Sequence, residues 1–567
     1  MRTGRAAAIA ASLFVLAGAL GTPSLPLPND LVARGAHGAV VSAEPRATAI
    51  GLQVLEQGGN AVDAAVAVAL ALAVTHPQAG NLGGGGFLVL RMADGRTAAL
   101  DFRERAPKSS HADMYLRPDG SVDEDKVRYG ASAAGVPGSP AGLLHALQKY
   151  GTQNLAAVAA PAIRLAREGF VVDQFLAASL REAAAELGRF PSTQKVFFRG
   201  EAPLRQGDLL VQEDLAGTLE RFAKGGLAGF YGGRTAELLV AQMQRDGGFV
   251  TAADLTDYTV RERDVLRGSY RGHEVLSMPP PSSGGIALLQ MLALLEPFDL
   301  RAIGHGGSEY VHLLSEAMRR AYADRSRWLG DPDHWPVPQP GLLAKDYLDG
   351  LRAGIDRGKK SAVAPGLPPG GKESDDTTHF SVVDKDGNAV ACTTTINSTF
   401  GAMCVVEGAG FLLNNEMDDF SSKPGVQNQF GLVGGKANAI APGKRMLSSM
   451  TPTIVLKDGE VAFVLGAPGG GRIITAVLQV LLNVVDHRMG LEQAVRAPRV
   501  HHQWIPDELA WEALGMPPDV REALERKGHA LARGPRGIGQ VFAIARLADG
   551  TRLAVCDHRS GGSAGAY

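Results

Sequence analysis

One pattern recurs four times along this chain: an apolar strand, an Asp-Gly pair, and a second strand. The pairs are Asp94-Gly95, Asp386-Gly387, Asp458-Gly459 and Asp549-Gly550. Asp-Gly between such runs is a strong hairpin signal, because both residues tolerate the positive φ of a tight two-residue turn. Four hairpins supply about eight antiparallel strands, enough for two stacked sheets. Helical patterns fill much of the rest. Residues 45–58 have helical spacing, and Asn60 opens a long Ala/Val/Leu helix to about Val74, apolar on most faces and therefore buried. Stretches 143–187 and 209–243 are helix-rich, with turns at Gly151, Gly169 and Gly225-Gly226. Residues 309–329 form one more helix, whose Arg319, Arg320, Arg325 and Arg327 read as a solvated or salt-bridged face. The expected class is α+β.

At 567 residues the chain exceeds what one simple core usually holds. A formal net charge of -2, with no basic stripe, argues against a nucleic-acid partner. Arg2 and Arg5, the apolar run 6–20 and the small residues Ala17-Gly18-Ala19 read as a secretory signal covering residues 1–19. The run is short for a membrane span, so an exported protein, periplasmic or secreted and not inserted in a membrane, is expected. Cys392, Cys404 and Cys556 are an odd number without metal spacing, and leave one disulfide or buried free thiols equally open.

The stretch Glu373-Ser-Asp-Asp-Thr-Thr-His-Phe-Ser-Val-Val383 passes abruptly from a polar run into a β-branched strand. Just before it, residues 354–371 are rich in Gly, Pro and Lys and read as an exposed loop. Threonine is a weak nucleophile unless a base adjoins it, and an N-terminal threonine carries that base as its own α-amine. A cut between Asp376 and Thr377 would create one, leaving pieces 20–376 and 377–567 that share a core. Thr377 as an ordinary loop-to-strand residue is the simpler alternative.

Five clusters offer chemistry. Asp101-Phe-Arg-Glu104 ends the first hairpin with a guanidinium fork suited to a carboxylate. Thr393-Thr-Thr-Ile-Asn397 ends the strand paired with the Thr377 strand. Residues 412–420 gather Asn414, Asn415, Glu416, Asp418 and Asp419. Ser448 and Ser449 are adjacent hydroxyls, and residues 466–472 open a helix whose free amides suit an anion or oxyanion. Surface ion pairs, caps and turns would explain each cluster singly. Gly80–Gly86 lacks the Lys-Ser/Thr of a phosphate loop and reads as close backbone packing, and His501-His502 reads as structural.

Taken together and in order, these motifs resemble the γ-glutamyltranspeptidase family of N-terminal-nucleophile hydrolases, from Gly38 to Tyr567. The resemblance implies a four-layer αββα sandwich made of two chains cut from one precursor. It implies that Thr377 cleaves the Asp376–Thr377 bond and then serves as nucleophile, supported by Thr395, with Gly469 and Gly470 as oxyanion hole. Arg103, Ser448 and Ser449 would hold a donor's α-carboxylate, and Asn397, Glu416 and Asp419 its α-ammonium. Glutathione or another γ-glutamyl compound would be the donor, and water, an amino acid or a dipeptide the acceptor. No cofactor or metal is implied. Residues 424–438 resemble a lid loop with Phe430 where a tyrosine is often found, which implies a looser cover. Two rivals remain: a glutaryl or cephalosporin acylase, whose donor lacks the ammonium, and an uncleaved periplasmic protein that binds γ-glutamyl peptides.

Overall fold

All four Asp-Gly pairs make the expected hairpins, and their glycines sit at φ of 92°, 90°, 83° and 84°. The computed structural model describes residues 30–364, 377–423, 429, 432 and 434–567. Residues 1–29, Asp376 and Phe430 lie outside that set, so the signal segment, the residue before the cut and the lid aromatic carry no structural account.

The hairpins are distributed between two seven-stranded sheets in which every pairing is antiparallel. The first runs Ser563–Ala566, Ala39–Ser42, Thr378–Val383, Ala389–Thr395, Gly85–Arg91, Thr97–Asp101, Arg261–Arg263. The second runs Val32–Gly35, Arg552–Cys556, Phe542–Arg546, Glu460–Gly466, Thr453–Lys457, His273–Ser277, Leu266–Tyr270. A fifth hairpin, turning at Arg271-Gly272 with φ of 45° and 75°, joins the last two strands.

Period-2 alternation sorts the first sheet's side chains between two cores. Val40, Leu88, Leu90, Phe380, Val382 and Val390 face helices, among them Ala61–Thr75, in which every residue is buried. Asn60 caps that helix in a reciprocal box with Asp63, an arrangement worth about 1 kcal/mol. Ala39, Val41, Phe87, Val89, Ala389 and Ala391 face the second sheet instead. Beyond that sheet lie Gly284–Leu295, Ser308–Trp328 and Arg472–Val485, giving the order helix, sheet, sheet, helix. Between the sheets, Ser381 donates to the Phe542 carbonyl (3.1 Å) and shares a bond with His379, whose burial pushes its pKa down to about 3. A side chain on Gly466 would overlap that imidazole, so glycine is required there.

The glycine run after Asn81 is close packing. A Cβ on Gly83 would lie 2.1 Å from the Leu412 carbonyl, and one on Gly84 would lie 2.1 Å from the Thr395 carbonyl. Asn81 and Asn414 tie this corner together: Asn81 donates to the Thr395 carbonyl (2.9 Å), and Asn414 donates to the carbonyls of Gly83 (2.7 Å) and Gly135 (2.9 Å). The three cysteines are buried free thiols. No helix among the described residues is long and apolar enough to cross a membrane.

Candidate active site

Thr377 is half-buried at the start of the central strand Thr378–Val383, which lies between Ala39–Ser42 and Ala389–Thr395. It lines a cleft that is open to solvent. Thr395, from the end of the neighbouring strand, lines the same cleft, and its hydroxyl accepts from the Asn397 amide (2.8 Å). Asn397 turns the chain there at φ of 76°, a left-handed position that Asn tolerates better than most side chains.

Asn397, Glu416, Asp419, Ser448, Ser449 and Arg103 all line the cleft. Gly470 lines it at the foot of the helix Arg472–Val485, and Gly469 precedes it in the chain; they hold φ of 131° (Gly469) and 52° (Gly470). Their carbonyls accept from Arg472 and Ile473 inside the helix start, whereas neither amide donates to a backbone carbonyl among the described residues. Among the described candidate site residues, all but Gly469 line this one cleft, and Gly469 adjoins Gly470 in the chain.

Arg103 is 1% exposed, and its guanidinium is paired with both Glu416 and Asp419. Its backbone is pinned on both sides, with the amide donating to Asp101 (3.1 Å) and the carbonyl accepting from Tyr258 (2.8 Å). The two acids sit on the short 3-10 helix Glu416–Asp419, held by Asn414, which accepts from the Glu416 amide (3.0 Å). Ser448 accepts from the Met450 amide (3.1 Å) and Ser449 from Arg325 (3.2 Å). A hydroxyl that accepts a hydrogen bond keeps its own proton to donate, so both serines can face an anion. The cleft thus holds hydroxyls and guanidinium groups able to meet a carboxylate, and carboxylates able to meet an ammonium.

The chain from 47 to 567 matches the family model described as Gamma-glutamyltranspeptidase. The chain belongs to the γ-glutamyltranspeptidase family. It is 49% identical over 532 residues, covering 93% of this chain and 91% of the relative, to the protein named glutathione hydrolase proenzyme in Escherichia coli (strain K12). Among solved structures it resembles a cephalosporin acylase from Bacillus halodurans (TM-score 0.83, 26% identity, 98% of this chain and 99% of that one). It also resembles Helicobacter pylori γ-glutamyltranspeptidase (TM-score 0.56, 43% identity, 61% of this chain and 95% of that one). The four-layer αββα sandwich is the fold of this family.

The basic helix face, read from the sequence as solvated or salt-bridged, is salt-bridged at Arg319 (2.9 Å) and Arg320 (2.7 Å), which neutralise Glu316. Arg319, Arg320 and Arg325 are all buried, and of the four only Arg327 is exposed. Arg325 enters the cleft instead. At about 100° per residue it projects away from the arc that Arg319, Arg320 and Arg327 share. His502 also has a carboxylate partner, Asp507 at 3.2 Å, which spacing did not suggest. His312, Glu316 and His529 lie close enough to suggest a metal. However, the two arginines occupy the Glu316 oxygens, so the cluster reads as a clasp on the backbone at Asp356 and Ser361.

Glu104 was not singled out from the sequence as a site residue of its own. It is fully buried and 3.6 Å from Arg103, with Glu416 close by. Burial, opposed by Arg103, pushes its pKa from 4.5 up to about 7. The folded chain thus keeps a proton that the unfolded chain releases, so this group's stabilising effect is full below about 4.5 and is lost as pH rises to about 7. Glu104→Gln is expected to flatten the pH dependence of Tm across that window in thermal melts. An unchanged slope would show that the carboxyl is already ionised at pH 4.5.

Proposed function

We propose that this enzyme is a self-cleaving γ-glutamyltransferase that uses Thr377 as nucleophile and passes the γ-glutamyl group of glutathione and related compounds to water or to an amine. The observation that carries the reading is the meeting, in one cleft, of Thr377 with the Arg103 guanidinium, the Ser448 and Ser449 hydroxyls, and the Glu416 and Asp419 carboxylates. Residues 1–19 are the export signal, and the mature protein is a heterodimer of 20–376 and 377–567, placed in the periplasm or outside the cell.

In the precursor the Thr377 hydroxyl attacks the Asp376 carbonyl, the acyl group moves from nitrogen to oxygen, and water hydrolyses the ester. The freed α-amine then takes the hydroxyl proton when Thr377 attacks a γ-glutamyl carbonyl. Thr395 supports the nucleophile. The Gly469 and Gly470 amides receive the tetrahedral oxyanion, and one such donor is worth about 2.7–4 kcal/mol. The donor's α-carboxylate lies against Arg103, Ser448 and Ser449, and its α-ammonium against Asn397, Glu416 and Asp419. Opposite charges at a fixed separation orient the amino-acid head and leave the γ-carbonyl at Thr377. The ammonium takes over part of the pairing that Glu416 and Asp419 make with Arg103. An amino acid or dipeptide amine, or water, then attacks the acyl-enzyme.

The acylase alternative draws support from the likeness to cephalosporin acylase. A glutaryl donor, though, gives Glu416 and Asp419 nothing to bind. The test compares γ-glutamyl and glutaryl anilides and labels the protein with a glutamine-analogue electrophile. The expected result is one label on Thr377 and kcat/KM about 100-fold higher for the γ-glutamyl anilide, the scale of one lost charge-assisted contact pair. Equal rates would favour the acylase, and an unlabelled, uncut chain the binding protein.

A further inference from the structure

Arg325 is a second guanidinium in the cleft, and none of the roles assigned above uses it. It comes from the helix Ser308–Trp328, is 5% exposed and lines the cleft with Ser448 and Ser449. Its bonding differs in kind from that of Arg103. Arg103 is paired with carboxylates, whereas Arg325 donates to two hydroxyls, Ser283 Oγ (3.0 Å) and Ser449 Oγ (3.2 Å). No carboxylate among the described residues lies within ion-pair distance of it, and Asp419 attracts it only at longer range. A buried guanidinium lacking an anionic partner is costly, so its retention at a ligand cleft calls for a reason.

The hydroxyls supply it. Ser283 accepts from Arg325 and its hydroxyl donates a hydrogen bond to the Ser448 carbonyl (2.6 Å), while its amide donates to the same oxygen (2.8 Å). That fixes the backbone carrying both serines. Ser449 accepts from Arg325 directly, so its proton is turned away from the guanidinium and toward the cleft. Glu416 and Asp419 pair with Arg103, whereas Arg325 is the guanidinium that reaches Ser449 directly.

We propose that Arg325 is the positioning and specificity residue for the donor's α-carboxylate, polarising Ser449 directly and holding Ser448 through Ser283. The assignment rests on the carboxylate site described under the proposed function. It adds to Arg103 a second positive field, reached through hydroxyls, that helps separate donors bearing an α-carboxylate from those without one.

The test uses the processed enzyme and three anilides: γ-glutamyl, glutaryl (carboxylate without ammonium) and 4-aminobutanoyl (ammonium without carboxylate). Arg325→Gln is expected to raise KM about 10- to 100-fold for the first two, the range for a charged hydrogen-bond partner, with kcat nearly unchanged. The 4-aminobutanoyl KM should stay within about 2-fold, and Arg325→Lys should recover part of the loss. Ser449→Ala combined with Arg325→Gln should fall short of the product of the two single effects. A uniform loss on all three donors, or a fall confined to kcat, would assign Arg325 to structure alone and overturn the proposal. If Arg325→Gln fails to fold, Ser283→Ala reads the same relay; an unchanged selectivity in that variant overturns it as well. A wild-type enzyme indifferent to the α-carboxylate would instead remove the carboxylate site itself, and this assignment with it.

Discussion

Thr377→Ala is expected to leave one uncut chain, seen as a single species in denaturing intact-mass spectra, with turnover of γ-glutamyl anilide lost by at least about 10⁴-fold. Both effects have one cause. The residue supplies the hydroxyl that attacks the Asp376 carbonyl, and after the cut it supplies both nucleophile and base. Thr395 cannot stand in for it, because it ends an uncut strand and its α-nitrogen stays in a peptide bond. Thr377→Ser keeps the hydroxyl and should still be cut, more slowly. A normally processed and active Thr377→Ala would refute the assignment of the nucleophile.

Asp419→Asn is expected to raise KM for γ-glutamyl donors about 100-fold while processing proceeds as in the wild type. Asp419 pairs with Arg103 and faces the cleft, so its charge is available to a donor ammonium. The scissile Asp376–Thr377 peptide bears no such ammonium, which is why cleavage should not depend on it. Steady-state kinetics on γ-glutamyl and glutaryl anilides read this directly, because the glutaryl KM should hardly move. An unchanged γ-glutamyl KM would mean that the ammonium binds elsewhere.

What the sequence made legible was local chemistry. A two-residue Asp-Gly turn declares itself within its own residues, and so does a helix such as Ala61–Thr75 that is apolar all round. The hairpin at Arg271-Gly272 went unseen because arginine at φ of 45° carries no turn signature. The helix Gly284–Leu295 also went unseen, because the two glycines that open it carry no helix-start signature. Arg325 escaped for a different reason: its partners Ser283 and Ser449 lie 42 and 124 residues away, and only the packing of helix on sheet makes them neighbours. Arg103 has partners still farther off, 313 and 316 residues along, yet was singled out because its motif fell among others in a familiar order.

The sheets interleave the stretches before and after the proposed cut. Ala39–Ser42 lies between Thr378–Val383 and Ser563–Ala566, and Gly85–Arg91 pairs with Ala389–Thr395. In the second sheet Val32–Gly35 pairs with Arg552–Cys556, and His273–Ser277 with Thr453–Lys457. While the chain is continuous, each of these pairings closes a loop within one molecule, at the high effective concentration that a tether provides. Severing the chain leaves the pairings in place but abolishes the tether, so reassembly after denaturation becomes a meeting of two separate polypeptides. The mature enzyme is therefore a product of its own history: its persistence is set by how slowly it unfolds, and dilution during refolding erodes its recovery where the uncut Thr377→Ala chain is spared.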